Sequence, residues 1–163
     1  MKCLVTGGCG FFGSNIAAAV LRGGHDVAVL DNLSRLGGDL NLAWLREQGD
    51  CSFTKGDVRN PEDCSRLVGR FQPDVVFHLA GQVAMTTSLR DPRLDFETNA
   101  LGTLNMLESV RALCPQAAFL YSSTNKVYGD LEHLRYGETS TRYTLLDYPD
   151  GGWNAFFEKT LTT

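Results

Sequence analysis

No run of lysine and arginine occurs anywhere in this sequence: its 15 basic residues are scattered and outnumbered by 19 acidic ones, for a formal net charge of -4. A surface that tracks a phosphate backbone concentrates positive charge on one face, so no nucleic-acid partner is expected. Nor is there a stretch of about eighteen apolar residues, the least that a membrane-spanning helix needs, so no membrane partner is expected. The first apolar run meets a glycine at Gly7, too early for a secretory signal. The five cysteines (Cys3, Cys9, Cys51, Cys64 and Cys114) contain no Cys-x-x-Cys pair, which argues against a zinc site or a disulfide framework. Cys3 lies in an apolar strand pattern and reads as a small buried hydrophobe. A reducing, cytoplasmic setting is the expectation. Repeats and low-complexity tracts are missing as well.

What is present is an alternation of short β-rich runs with longer helical stretches. That pattern belongs to an α/β fold of the Rossmann type, a doubly wound parallel sheet with helices on both faces. With 163 residues the chain has the length of one ordinary domain. Strands are expected at residues 2–5, 26–30, 51–55, 74–79 and 117–121. Helices are expected at 11–22, at 61–71 after Asn60-Pro61, and at 94–113. In the last, Leu101, Leu104, Leu107 and Val110 recur three apart and read as one apolar row. Residues 122–149 read mostly as loop, and 151–163 show no clear apolar face.

The chemistry-bearing motif is TGGCGFFGS at residues 6–14, with Gly7, Gly10 and Gly13 spaced three apart between a strand and a helix. The first glycine suits a tight turn, the second a close approach of backbone to a pyrophosphate, and the third close packing of the helix. The helix N-terminus offers free N–H groups and partial positive charge to phosphates. Asp31 ends the second strand, where a carboxylate accepts ribose hydroxyls and repels a 2′-phosphate; this prefers NAD over NADP, with Arg35 nearby pulling the other way. Asp57, in KGDVRN, is placed to accept from an adenine amino group. HLAGQVA at residues 78–84 sits at the carboxyl end of the fourth strand, where ligands of open α/β sheets gather. His78 itself reads as a satisfied histidine in or near the core rather than a catalyst.

These motifs, followed by NALGTLNMLE (99–108) and YSSTNKVYGD (121–130), resemble in order and spacing the extended short-chain dehydrogenase/reductase family, the NAD-dependent epimerases and dehydratases of nucleotide sugars. DNLSR, HLAGQVAMTTS, YSSTNKVYGDLE and ETSTRYT resemble more closely its branch that epimerises a CDP-linked sugar at C2. The resemblance implies that Gly7, Gly10, Phe11 and Phe12 meet the pyrophosphate of NAD. It implies Asp31, Asn32 and Arg35 around the adenosine ribose, with Asp57 and Val58 at the adenine. Leu79, Ala80, Gly81 and Val83 would line the middle of the cofactor, with Asn99 bracing the site from the long helix. Ser122 and Ser123 would close over the nicotinamide, and Thr124 would stand in the place of the catalytic hydroxyl residue. The substrate implied is a nucleotide sugar, with a CDP-sugar favoured.

One family feature is missing from this stretch. The family's base is a tyrosine followed four residues later by a lysine, which lowers its pKa; a lone tyrosine titrates near ~10. Here Tyr121, Tyr128, Tyr136, Tyr143 and Tyr148 are followed at that distance by Asn125, Glu132, Ser140, Asp147 and Gly152. The expectation is an NAD-binding Rossmann domain over residues 1–150, incomplete at its C-terminal side, then a divergent tail at 151–163 and no substrate domain. Such a chain is expected to be inactive alone. A non-catalytic NAD-binding module, a homo-oligomer, and one half of a split enzyme completed by a second chain stay open as readings.

Overall fold

The computed structural model describes residues 1–123, 134–141 and 143–146. They fall into two compact units, residues 1–122 and 123–163, each considered by itself.

In the first unit, strand β1 (Lys2–Thr6) is buried from Cys3 onward, as an apolar strand covered on both faces must be. It pairs in parallel with β2 (Asp26–Asp31) on one side and with β4 (Val75–His78) on the other. Strands β3 (Ser52–Lys55) and β5 (Ala118–Tyr121) extend the sheet outward, giving the order β3-β2-β1-β4-β5. The chain therefore builds outward from β1 to β3, then returns to β1's other side. That reversal leaves a crevice beyond the carboxyl ends of β1 and β4.

Alternation along β1 divides the core. Leu4 points to one face, among Leu30, Leu67, Val68, Val76, Met106 and Val110; Val5 points to the other, among Ala17, Ala18, Val29 and Leu45. The first face is covered by α3 (Pro61–Phe71) and α6 (Gly102–Leu113), the second by α1 (Phe11–Arg22) and α2 (Gly38–Gln48). Each fully buried aliphatic side chain contributes about 1.5–3 kcal/mol of transfer free energy. α3 starts where the sequence says it should: Asn60 Oδ1 accepts from Glu62 N at 3.0 Å, with Pro61 in the first turn. Cys3 is buried as expected, and its thiol is pushed up, mainly by burial. No helix among the described residues is long and apolar enough to cross a membrane.

Four expectations need correction. α2 and α4 (Met85–Arg90) were not anticipated; α2 hides because only Gly38, Leu42 and Leu45 are buried on it, while Leu40 turns outward. The helix expected over 94–113 is divided into α5 (Pro92–Phe96), a π-helical turn at Glu97–Leu101, and α6. Its inward face is Gly102, Met106, Ser109 and Val110, so Leu104 and Leu107 of the expected row face outward at 53% and 42% exposure. The second unit holds a short antiparallel hairpin, β6 (Tyr136–Glu138) with β7 (Tyr143–Leu145), inside the segment read as loop. Residues 151–163 lie outside the described residues.

Candidate functional site

The glycine-rich turn is held at both ends by backbone. Gly7 N donates to Leu30 O at 2.8 Å, and Gly10 N donates to Gly7 O at 3.0 Å. Gly7 has φ +67, and a Cβ there would stand 2.7 Å from Ala80 N; only glycine satisfies both the left-handed turn and that approach. A Cβ on Gly13 would overlap Gly7 O and lie 2.7 Å from Gly8 Cα, so α1 packs on the turn itself. α1 has no side-chain cap at Gly10. The first N–H groups of a helix have no partner within it, so those of its first turn, from Phe11 on, are left to a ligand.

Asp31 closes β2 with both carboxylate oxygens engaged: Oδ2 accepts from Cys9 N at 2.9 Å and Oδ1 from Leu33 N at 2.8 Å. Leu33 is left-handed, φ 57, a conformation that a bulky residue adopts only when its surroundings enforce it. The turn carries Ser34 and Arg35 to the rim of the cleft. Cys9 is buried beneath, and burial first, with Asp31's charge, pushes its thiol up to about 12.

Asp57 is gripped more fully. Oδ1 accepts from Arg59 N and Nε, both at 3.0 Å; Oδ2 accepts from Arg59 Nη2 at 2.7 Å and from Asn32 Nδ2 at 3.0 Å. The guanidinium bonds, with the Arg59 N–H and the Asn32 amide, overcome the cost of burial and hold the carboxyl at about 2.

On the opposite wall, residues 79–83 leave β4 and turn across the crevice. Asn99, on the π-helical turn, grips this segment twice: Gln82 N donates to its Oδ1 at 2.8 Å, and its Nδ2 donates to Gln82 O at 3.0 Å. His78 is fully buried behind the wall, its Nδ1 2.8 Å from Thr6 Oγ1 and its Nε2 3.1 Å from Thr103 Oγ1. Desolvation lowers its pKa to about 4, so it is neutral. It is the satisfied core histidine that the sequence suggested.

Between the walls runs a cleft of about 610 Å³, within the range of small-molecule and cofactor sites. Of the residues singled out from sequence, Gly7, Gly10, Phe11, Phe12, Asp31, Asn32, Arg35, Asp57, Val58, Leu79, Ala80, Gly81 and Val83 line it together. Asn99 stands behind the wall, and Ser122 is tied to β4 by its N–H and Oγ on His78 O. Ser123 falls in the second unit, and Thr124 lies outside the described residues. Among the cleft residues that sequence reasoning missed are Arg59, Gln82 and Thr98. Arg59 had a signal, two positions after Asp57 in a turn. Gln82 had one as well, lying inside HLAGQVA; Thr98 had none.

A glycine turn at the reversal of a parallel β3-β2-β1-β4-β5 sheet, an uncapped helix N-terminus, and an acidic residue closing β2 define a Rossmann-type dinucleotide-binding domain. Comparison with known proteins narrows this. Residues 4–148 match the family model described as GDP-mannose 4,6 dehydratase, and the chain belongs to that family, among the extended short-chain dehydrogenase/reductase epimerases and dehydratases. It is 56% identical over 151 residues to a CDP-paratose 2-epimerase of Salmonella typhi, covering 93% of this chain and 45% of that protein. The structure resembles the UDP-glucose 4-epimerase of Thermus thermophilus, solved in complex with NAD, with a TM-score of 0.71 and 36% identity over 99% of this chain and 50% of that one. It also resembles the dTDP-glucose 4,6-dehydratase DesIV of Streptomyces venezuelae, solved with NAD and TYD, with a TM-score of 0.70 and 30% identity over 79% of this chain and 41% of that one. The chain thus spans half or less of each of these relatives.

Proposed function

We propose that this chain forms the NAD-binding part of a nucleotide-sugar epimerase, and that the sugar is CDP-paratose, inverted at C2. The observation that carries the reading is the cleft itself, where glycine turn, helix N-terminus and Asp31 follow one another along one edge of the sheet. The donor set suits a dinucleotide. A pyrophosphate needs free N–H groups and no intruding Cβ, and Gly10 leaves that space, its nearest Cβ contact being Gly7 O at 3.2 Å. A ribose diol needs an acceptor, and the Asp31 carboxylate lines the cleft. Residues 79–83 then back the middle of the ligand with main chain and with the small Ala80 and Gly81.

In this reading Phe11 and Phe12 direct their N–H groups to the pyrophosphate. Asp31, with Asn32 and Arg35 beside it, orients the adenosine ribose, and Asp57 and Val58 face the adenine. Bound NAD supplies the hydride acceptor and donor for oxidation to a keto sugar and re-reduction on its other face. Thr124 would hydrogen-bond the reacting oxygen and hold it in line, a positioning role, and Ser122 and Ser123 would border the nicotinamide. The CDP-sugar assignment rests on the 56% identity to the Salmonella typhi epimerase.

None of the five tyrosines in these 163 residues has a lysine four residues on, so this stretch by itself holds no such proton-abstracting pair. The purified chain, given NAD and CDP-paratose, is expected to bind NAD and to form no CDP-tyvelose. Turnover by this chain alone would refute the assignment of the base to other residues. Absence of NAD binding would refute the cofactor reading.

A further inference from the structure

The cleft wall at residues 79–82 is held from two sides by one directional chain of hydrogen bonds that passes through His78. Thr6 Oγ1 accepts from Ala80 N at 3.3 Å and from Leu79 N at 3.2 Å, the latter N–H being shared with Thr6 O at 3.1 Å. Both main-chain neighbours of this hydroxyl are donors, so the acceptor for its own proton is the third neighbour, His78 Nδ1 at 2.8 Å. Nδ1 is then an acceptor, and in a neutral imidazole the proton sits on Nε2. The far end gives the same answer independently. Thr103 Oγ1 donates to Asn99 O at 2.6 Å, so toward His78 it can only accept, and Nε2 donates to it at 3.1 Å. The polarity is uniform from Leu79 and Ala80 through Thr6, His78 and Thr103 to the main chain of Asn99.

The two termini of this chain are the two grips on the wall. Thr6 holds the residues where β4 ends, beside the point where Gly7 lies against Ala80. Asn99 holds Gln82 through both its main-chain groups, from a π-helical turn, an irregularity often found at functional sites. We propose that His78, as the neutral Nε2–H tautomer, is a positioning residue: it sets the spacing between the Thr6 and Asn99 grips and so aims the wall at the middle of the dinucleotide. The inference rests on the cofactor reading above. It assigns His78 no proton transfer and no contact with substrate.

The test compares ligands that do and do not need the wall. NAD spans the whole cleft, whereas AMP needs chiefly the half around Asp31 and Asp57. In the purified chain, Thr6→Val and His78→Leu are expected to weaken NAD binding by about tenfold or more, the effect of leaving one buried polar group unpaired, with AMP affinity unchanged within about twofold. Thr6→Ser, which keeps the hydroxyl, is expected to restore NAD affinity. Unchanged NAD affinity in both disruptive variants overturns the proposal, as does a parallel loss of NAD and AMP, the mark of a merely structural role. Nitrogen NMR of His78 in the wild-type chain gives a readout free of any variant's folding: a protonated Nε2 is expected, and a protonated Nδ1 overturns the proposal. If the wild-type chain binds no NAD, the cofactor reading fails, and the tautomer alone then decides this inference.

Discussion

Replacing Arg59 by alanine should cost stability in a way that depends on pH, and the structure sets both the size and the sign. The Arg59 guanidinium is the largest of the influences that lower Asp57 from its ordinary 3.8 to about 2. At ~1.36 kcal/mol per pH unit, that difference corresponds to about 2 kcal/mol for all of Asp57's partners together. The Arg59 main-chain N–H and the Asn32 amide remain in the variant, and the ion pair is partly open to water, with side-chain exposures of 38% and 24%. Solvent screening therefore reduces the share lost to about 1 kcal/mol. Because the folded-state pKa is depressed, the stabilisation is fully present above the unfolded value near ~4 and is lost as pH falls through about 2. Urea unfolding of wild type and Arg59→Ala at pH 7, 5, 3 and 2 measures it. The gap should be about 1 kcal/mol at the two higher values and should close toward the lowest. A gap that persists undiminished at pH 2 would mean that Arg59 acts by packing, and the electrostatic reasoning would be wrong.

Other perturbations probe other parts of the cleft. Gly13→Ala places a Cβ against the backbone of Gly7 and Gly8; overpacking of this kind costs about 1–3 kcal/mol, seen as a lower thermal midpoint and weaker NAD binding, and an unchanged midpoint would show that the turn yields freely. Asp31→Asn removes the charge that we propose meets the ribose while keeping one acceptor oxygen, so NAD should bind about tenfold more weakly and NADP should be rejected less, for want of repulsion; equal discrimination in both proteins would place the specificity elsewhere. Thiol labelling of the native chain should modify half-buried Cys51 first, because Cys9 and Cys64 are buried with thiols pushed up to about 12. Rapid labelling of Cys9 would contradict the packing of the glycine turn.

The sheet was legible in the sequence because its strands are short apolar runs punctuated by glycine, proline and asparagine. Asn60-Pro61 marks α3 as plainly as any signal in the chain. α6 shows where legibility fails. Leu104 and Leu107 form the more conspicuous row, yet the inward face carries, beside Met106 and Val110, Ser109 and Gly102, where the missing Cβ leaves room for Val58. Periodicity ranks rows by hydrophobicity and cannot see that small residues mark a close approach. The π-helical turn is equally invisible, since it changes hydrogen bonding and not composition.

In the cleft, residues acting through main chain or a formal charge were found from their motifs, as Gly7, Gly13 and Asp31 were. Residues acting through a partner were found less fully: Asn99 was expected to brace the site, but its grip on Gln82 was not foreseen. Asp57 was identified as an acceptor, but its capture by Arg59 and Asn32 depends on how two loops meet. His78 was read as satisfied, yet the direction of its bonds required the positions of Thr6 and Thr103, distant in sequence and adjacent only in the fold.

The central claim is that this cleft binds NAD along the edge formed by the glycine turn, Asp31 and residues 79–83. A crystal structure of the chain with NAD tests it most directly. The pyrophosphate is expected against the N–H groups at the start of α1, and the adenosine ribose on the Asp31 carboxylate. NAD bound elsewhere, or a cleft left empty at saturating NAD, would contradict it.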